Sequence, residues 1–268
     1  MLRSMYAGVS GMKGFQTKLD VIGNNIANVN TIGYKKSTIN FQDLLSQNMS
    51  SGGTNPMQVG LGSTTGAINV IHTPGSAMTT GVGTDLSIMG DGFFVVQEPS
   101  EDPTVAGNQY LTRAGNFVVD DNGWLVNTQG YNVLDSEGDA IQIDADTYDS
   151  FSINREGVLM GKQSADGLEV PVLEDGVTIG ISSPPNPTGL RKFGGSLYEM
   201  TAAAGGAINA GTVAGANTSI ASGTLEMSNV DLTEEFTEMI IAQRGFQANS
   251  RTITTSDEIL QEVVNLKR

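Results

Sequence analysis

Apolar residues recur at steps of three and four near both ends of the chain and at steps of two in between. Met5, Val9, Met12, Gln16, Leu19, Gly23 and Ile26 trace a heptad seam, widened by Phe15 and Ile22, which predicts an amphipathic helix. At about 1.5 Å per residue it would be a rod of roughly 35 to 40 Å. Gly8, Gly11, Gly14 and Gly23 interrupt it, each costing about 1 kcal/mol relative to Ala in a helix interior, so the helix is weak alone. Leu232, Phe236, Met239, Gln243, Phe246, Ser250, Ile253, Asp257, Leu260 and Val264 repeat the pattern at the other end, with Ile240, Ile259 and Val263 alongside. Ser228, Asn229 and Asp231 offer N-cap oxygens, Glu234 and Glu235 occupy the first turn, and Lys267 and Arg268 the end, as the helix dipole prefers. No proline precedes Pro56 or follows Pro187, so long helices are permitted at both ends.

The middle reads as short strands punctuated by Gly and Asn. Leu86–Ile88 leads through Gly90, Asp91 and Gly92 into Phe93–Val96; Asn116–Val119 turns at Asp121, Asn122 and Gly123 into Trp124–Val126; Phe151–Ile153 turns at Arg155, Glu156 and Gly157 into Val158 and Leu159. These are hairpin signals of an antiparallel sandwich or barrel. Gln47–Gly62, rich in Ser, Gly, Asn and Thr, and Thr201–Thr224, rich in Ala and Gly, read as linkers. The expected fold is α+β: a coiled-coil-like terminal helical core domain at 1–35 and 228–268, connecting segments at 36–65 and 201–227, and a central antiparallel all-β outer domain at 66–200.

Composition narrows the function. The chain has 268 residues, 34 Gly, 6% aromatic and 16% charged residues, and no Cys, which excludes thiolate chemistry. A formal net charge of -15 is the wrong sign for neutralising phosphates, so neither nucleic acid nor an anionic membrane is an expected partner. No run is apolar enough to span a bilayer, and Met1–Gly14 has no signal-peptide core. By itself that pattern favours the cytoplasm, and it also fits export by a machine that reads no cleavable peptide.

Catalytic candidates are few. His72 is the single histidine, so a His-based triad or metal cluster would rest on one residue, and a packed or surface ring is expected. Gly90-Asp91-Gly92 resembles a phosphate loop but lacks the glycine spacing and the following helix. Asp120, Asp121 and Asn122, and Asp144, Asp146 and Asp149, offer oxygen ligands without EF-hand spacing. The expectation is a non-enzyme with no cofactor, no metal and no small-molecule substrate.

The ordering cost of two long helices is at least as large as the burial their apolar stripes supply when paired only with each other. That favours helices covered by neighbouring subunits, in coupled folding and assembly. Periodicity alone leaves an intramolecular coiled coil, or a stalk in a small bundle, equally open.

The residues themselves separate these readings. Leu19-Asp-Val-Ile-Gly-Asn-Asn-Ile-Ala-Asn-Val-Asn-Thr-Ile-Gly-Tyr-Lys35 closely resembles the N-terminal signature of bacterial flagellar rod and hook proteins, with Tyr34 where Phe is usual. Thr84–Phe94, Thr112–Phe117 and Asn122–Val126 resemble that family's β-domain motifs, and Gly223–Leu232 with Met239–Arg251 its C-terminal signature. Glu137–Thr218 is the least diagnostic stretch. The resemblance implies an axial protein that stacks helically around a central channel, its partners being itself, neighbouring axial proteins (rod, hook cap, hook–filament junction) and the flagellar type III export apparatus. It implies an extracellular location in the flagellum, reached without signal cleavage. Within the family the distal rod protein usually carries a longer insertion after the residues corresponding to Asp43-Leu44-Leu45. The short segment here favours a torque-transmitting hook, in the compact form of Gram-positive bacteria, with Gln47–Gly62 supplying its bending compliance. The distal rod subunit is the alternative, and a monomeric surface adhesin or binding module a distant one.

The expected self-assembly residues are Met5, Val9, Met12, Leu19, Ile22, Asn24, Asn25, Ile26, Asn28, Gly33 and Tyr34, then Phe236, Met239, Gln243, Arg244, Phe246, Asn249, Ile253, Leu260 and Val264. The asparagines, with Asn30, stop the first helix and Gly33 supplies a turn; their amides also have the chemistry to bond across subunits while Tyr34 anchors the turn. Gln243, Arg244, Asn249 and Arg251 form either an exposed face or an inter-subunit contact. Lys35 and Lys36 are expected to be solvated or to meet a neighbour's carboxylates.

Overall fold

The computed structural model describes residues 2–50, 57–98, 107–143, 148–163, 169–172, 177–208, 211 and 218–266. The chain forms two compact units: unit 1 holds 1–29, 36–71 and 230–268, and unit 2 holds 30–35 and 72–229.

Unit 1 contains two helices, α1 (Leu2–Ala27) and α2 (Leu232–Leu266), and four strands, β1 (Ser37–Asp43), β2 (Ser46–Ser50), β3 (Met57–Gly60) and β4 (Ser63–Val70). Asp231 caps α2: its Oδ1 accepts from the backbone N–H of Thr233 at 2.8 Å and of Glu234 at 3.4 Å, satisfying donors that the first turn leaves unpaired. The helices run antiparallel, Gly8 meeting Thr252 and Ile253, Gly11 meeting Asn249, and Phe15 meeting Gly245. Farther along, Lys18 pairs with Glu238 and Asn25 with Glu235. A Cβ on Gly11 would lie 2.8 Å from the Asn249 amide, and one on Gly245 2.5 Å from the Phe15 ring, so glycine permits this close approach.

The seam is therefore Gly8, Gly11, Phe15, Lys18, Ile22 and Asn25, one position before the stripe of largest apolar residues, and α2 answers with Glu235, Ala242, Gly245, Asn249, Ile253 and Ser256. The heptad period is as expected, but the face is rotated. Glycines at Gly8, Gly11 and Gly245 let the helices approach closely, with Ile253, Asn249 and Phe15 packed against them. β1 pairs antiparallel with β4, Ser37 opposite Val70, with a bulge at Asn40/Phe41. β2 pairs with β3, Gln47 opposite Val59. Part of the supposed Gln47–Gly62 linker is thus a hairpin; residues 51–56 lie outside the described residues.

Unit 2 holds β5 (Ala77–Thr79), β6 (Leu86–Met89), β7 (Phe93–Gln97), β8 (Gln109–Thr112), β9 (Phe117–Val119), β10 (Leu125–Asn127), β11 (Asn132–Val133), β12 (Tyr148–Ile153), β13 (Leu159–Gln163), β14 (Glu169–Pro171), β15 (Ile181–Ser182), β16 (Arg191–Gly194), β17 (Leu197–Glu199), β18 (Ser219–Ser222) and β19 (Thr224–Glu226). The main sheet runs β16-β17-β8-β7-β11-β10-β9, with β15 also on β7; β12-β13-β14 form a second sheet, and β18 pairs with β6 and β19 with β5. Successive side chains of a strand point to opposite faces. Phe94 and Val96 accordingly enter one apolar cluster, with Leu86, Phe117, Leu125 and Leu159, while Phe93 and Val95 enter another, with Leu111, Leu134 and Tyr198. Because β7 is buried on both faces, it reads as a continuous apolar run.

The hairpins β9–β10 and β12–β13 form as their turn residues predict. Leu86–Ile88 and Phe93–Val96 do not form one: β6 pairs with β18, and β7 with β8, β11 and β15. Gly92, at φ +137, redirects the chain between sheets rather than folding it back. The supposed linker 201–224 contains β18, whose Ile220 is buried; residues 209–210 and 212–217 lie outside the described residues.

Candidate assembly surface and buried ion cluster

Outside the seam, both helices turn large apolar side chains outward. In unit 1, Phe236 is 50% exposed, Ile240 56%, Val264 65% and Val9 51%. Ile241, Phe246, Ile259, Val263 and Tyr6 are exposed as well. Of the other expected assembly residues, Gln243 and Arg244 are exposed, Met5, Met12, Leu19, Ile26, Met239, Asn249, Ile253 and Leu260 are half-buried, and Ile22 is buried. Tyr6, Ile240, Ile241 and Val263 lie on the outward face although a single heptad stripe omits them from the assembly set.

The asparagine turn divides by role. Asn28 Nδ2 donates to the backbone oxygen of Asn24 at 2.8 Å and to its side-chain oxygen at 3.0 Å, closing the last turn of α1. Asn25, 1% exposed, clasps Ser37 with both ends of its amide: Oδ1 accepts from the Ser37 N–H at 3.0 Å and Nδ2 donates to the Ser37 carbonyl at 2.9 Å. Nδ2 also donates to Glu235 Oε2 at 3.1 Å. These bonds are made within one subunit. Lys36 pairs with Glu234 at 2.7 Å at the exposed rim.

In unit 2, Gly33 adopts φ +67, and a Cβ there would lie 2.5 Å from the backbone nitrogen of Ala114, so the position requires glycine. Its N–H donates to the Glu226 carbonyl at 2.8 Å. Tyr34 lies beneath the Lys192 ammonium, 4.6 Å from its ring centre. Lys35 is not solvated: it is 0% exposed, and its Nζ donates to Glu226 Oε1 and, at 2.7 Å, to the Thr73 carbonyl. The other carboxylate oxygen of Glu226 accepts from Arg113 Nη1 at 3.1 Å. Arg113 Nη2 donates to the Gly90 carbonyl at 2.8 Å, and its guanidinium lies over the Phe93 ring. All three side chains are buried. Burial holds the Lys35 ammonium below its ordinary pKa, against the pull of Glu226. Nothing local in the sequence announces this cluster, whose members lie far apart along the chain.

His72 packs edge-on against Phe93 and Tyr198, with ring centres 5.5 Å from each. Neither ring nitrogen reaches hydrogen-bond geometry with a partner. Burial, then the cations Lys35, Arg113 and Lys192, push its pKa down to about 4, the backbone of Pro187 opposing only weakly. A neutral, caged imidazole of this kind is a packing group. Asp144 and Asp146 lie outside the described residues, as does the side chain of Asp149. Among the described residues, no cluster of three or more His, Cys, Asp or Glu is placed to hold a metal ion, and no helix is long and apolar enough to cross a membrane.

Family profiles match residues 5–35 (flagella basal body rod protein), 87–161 (flagellar hook protein FlgE/F/G D1 domain) and 221–266 (flagellar basal body rod FlgEFG protein C-terminal). The chain is 51% identical to the flagellar basal-body rod protein FlgG of Bacillus subtilis, over 100% of both chains. It is 36% identical to FlgG and 29% identical to the flagellar hook protein FlgE of Borreliella burgdorferi, again over 100% of each chain. With profiles matching both ends and the β unit, and a rod protein FlgG 51% identical along the whole chain, the chain belongs to the flagellar rod and hook axial protein family, whose members are structural proteins.

Proposed function

We propose that this chain is the distal rod subunit of the flagellar basal body, polymerising into a helical tube that transmits torque around a central export channel. The observation that carries the assignment is 51% identity along the whole of a rod protein FlgG, against 29% along a hook protein FlgE. The expectation of a hook subunit rested on the shortness of the segment that follows Asp43-Leu44-Leu45, up to Gly60. A FlgG matched over its full length outweighs that single insertion, and the hairpin β2–β3 removes the flexible linker from which bending was argued.

Self-assembly is supported by the outward apolar faces of α1 and α2, since exposed large side chains at heptad-related positions are the form an unfilled helix interface takes. Most of the acidic residues lie instead in unit 2, leaving unit 1 the less self-repelling surface. In this reading the subunit passes through the type III export apparatus without signal cleavage and stacks on itself and on neighbouring axial proteins. Electron microscopy of basal bodies from cells lacking the protein tests the assignment. Rods that stop short of full length are the expected result; complete rods without hooks would overturn it in favour of the hook reading.

A further inference from the structure

We propose that the Lys35–Glu226–Arg113 cluster is a fastening point that holds together, inside unit 2, every place where the chain enters or leaves that unit. The chain passes between units after Val29, Lys35, Ile71 and Asn229. Lys35 itself ends the short excursion 30–35, and the Gly33 N–H in the same excursion donates to the Glu226 carbonyl. Lys35 Nζ reaches Thr73, just after the third passage, and Glu226, just before the fourth. Asn229 Nδ2 donates to the carbonyl and the hydroxyl of Thr73 at 3.3 and 3.0 Å. Glu226 Oε1 also accepts from the Gly75 N–H at 2.9 Å. Arg113 then carries the cluster into the β core, through Gly90 and Phe93.

Charge suits this role better than apolar packing does. An apolar group would fill the same space without directing anything, whereas a carboxylate holding two cations and a backbone donor fixes the orientation of each segment it touches. The cost of burying such ions makes the cluster a poor choice for stability alone.

Hydrogen exchange on the full-length, unassembled chain tests the fastening role without requiring polymerisation, so it can fail independently of the rod assignment. Glu226→Gln should raise exchange at the Gly33 and Gly75 amides on the order of 100-fold, while Val95 and Leu111 in the main sheet stay within about threefold. Lys35→Met should raise Gly75 exchange roughly tenfold, and Lys35→Arg, which keeps the charge, should leave it within about threefold. The proposal is overturned if all four amides accelerate together, since the cluster would then serve only global stability, or if none accelerates. Should Glu226→Gln not fold, unchanged Gly75 protection in Lys35→Met overturns it equally.

Discussion

Replacing Phe236 and Ile240 together by Gln separates the two faces of α2. The two residues are one turn apart, 50% and 56% exposed, and they flank the seam rather than filling it. Full burial of such a side chain is worth about 1.5 to 3 kcal/mol. About half of each surface remains to be covered, so a neighbouring subunit would gain roughly 1 kcal/mol per side chain, or about 2 kcal/mol per contact. At 1.4 kcal/mol per decade that is a rise of roughly 30-fold in the concentration of subunit left in solution at equilibrium with polymer. Gln has a helix propensity close to that of the residues replaced, so the unassembled chain should change by no more than about 0.5 kcal/mol. Sedimentation of polymerised protein, with the supernatant assayed for subunit, measures the first quantity, and thermal unfolding of the unassembled chain the second. A supernatant concentration within about threefold of the unsubstituted protein, at unchanged melting temperature, would refute the claim that this face is covered by a neighbour.

Two further predictions address stability. His72 is held neutral in the folded chain to about pH 4 but titrates near 6.5 when unfolded; between those values the unfolded chain binds the extra proton. Stability should therefore be full above pH 6.5 and fall by about 2 kcal/mol as pH drops to 4, allowing for solvent screening of a half-buried ring. Denaturant titrations across that range should show the loss, and His72→Phe should flatten it; Lys35, Arg113 and Lys192 are the cations facing the ring, and Asp91 lines the cavity beside it. Asn25→Ala removes the clasp on Ser37 and the bond to Glu235 and should cost about 2 to 3 kcal/mol, read as a lowered midpoint of urea unfolding; a change under about 0.5 kcal/mol would show the clasp to be dispensable.

Periodicity, caps and turns made the helices, the Asp231 cap and the hairpins β9–β10 and β12–β13 legible, because each depends on residues close together in sequence. The face of each helix was not. A stripe drawn through Met5, Val9, Phe236 and Phe246 follows apolar bulk, whereas the packed seam runs through Gly8, Gly11, Ala242 and Gly245, and of the expected assembly residues takes in only Ile22, Asn25, Asn249 and Ile253; glycine permits a close approach that a search for apolar bulk overlooks. The ion cluster was illegible for another reason. Lys35 beside Lys36 looks like a solvated pair, and only the fold brings Arg113 and Glu226 to the first of them. Gly90–Gly92 misled because a glycine turn specifies a change of direction but not the strand that the chain meets next.

Glu226 also sets an order of events. During synthesis from the N-terminus, Lys35 and Arg113 are both present long before their shared carboxylate, and two cations buried without it are strongly disfavoured. The same late segment supplies β18 and β19, the partners of β6 and β5. A chain that stops before residue 219 therefore lacks the partners of β5 and β6 as well as the counter-charge of Lys35 and Arg113.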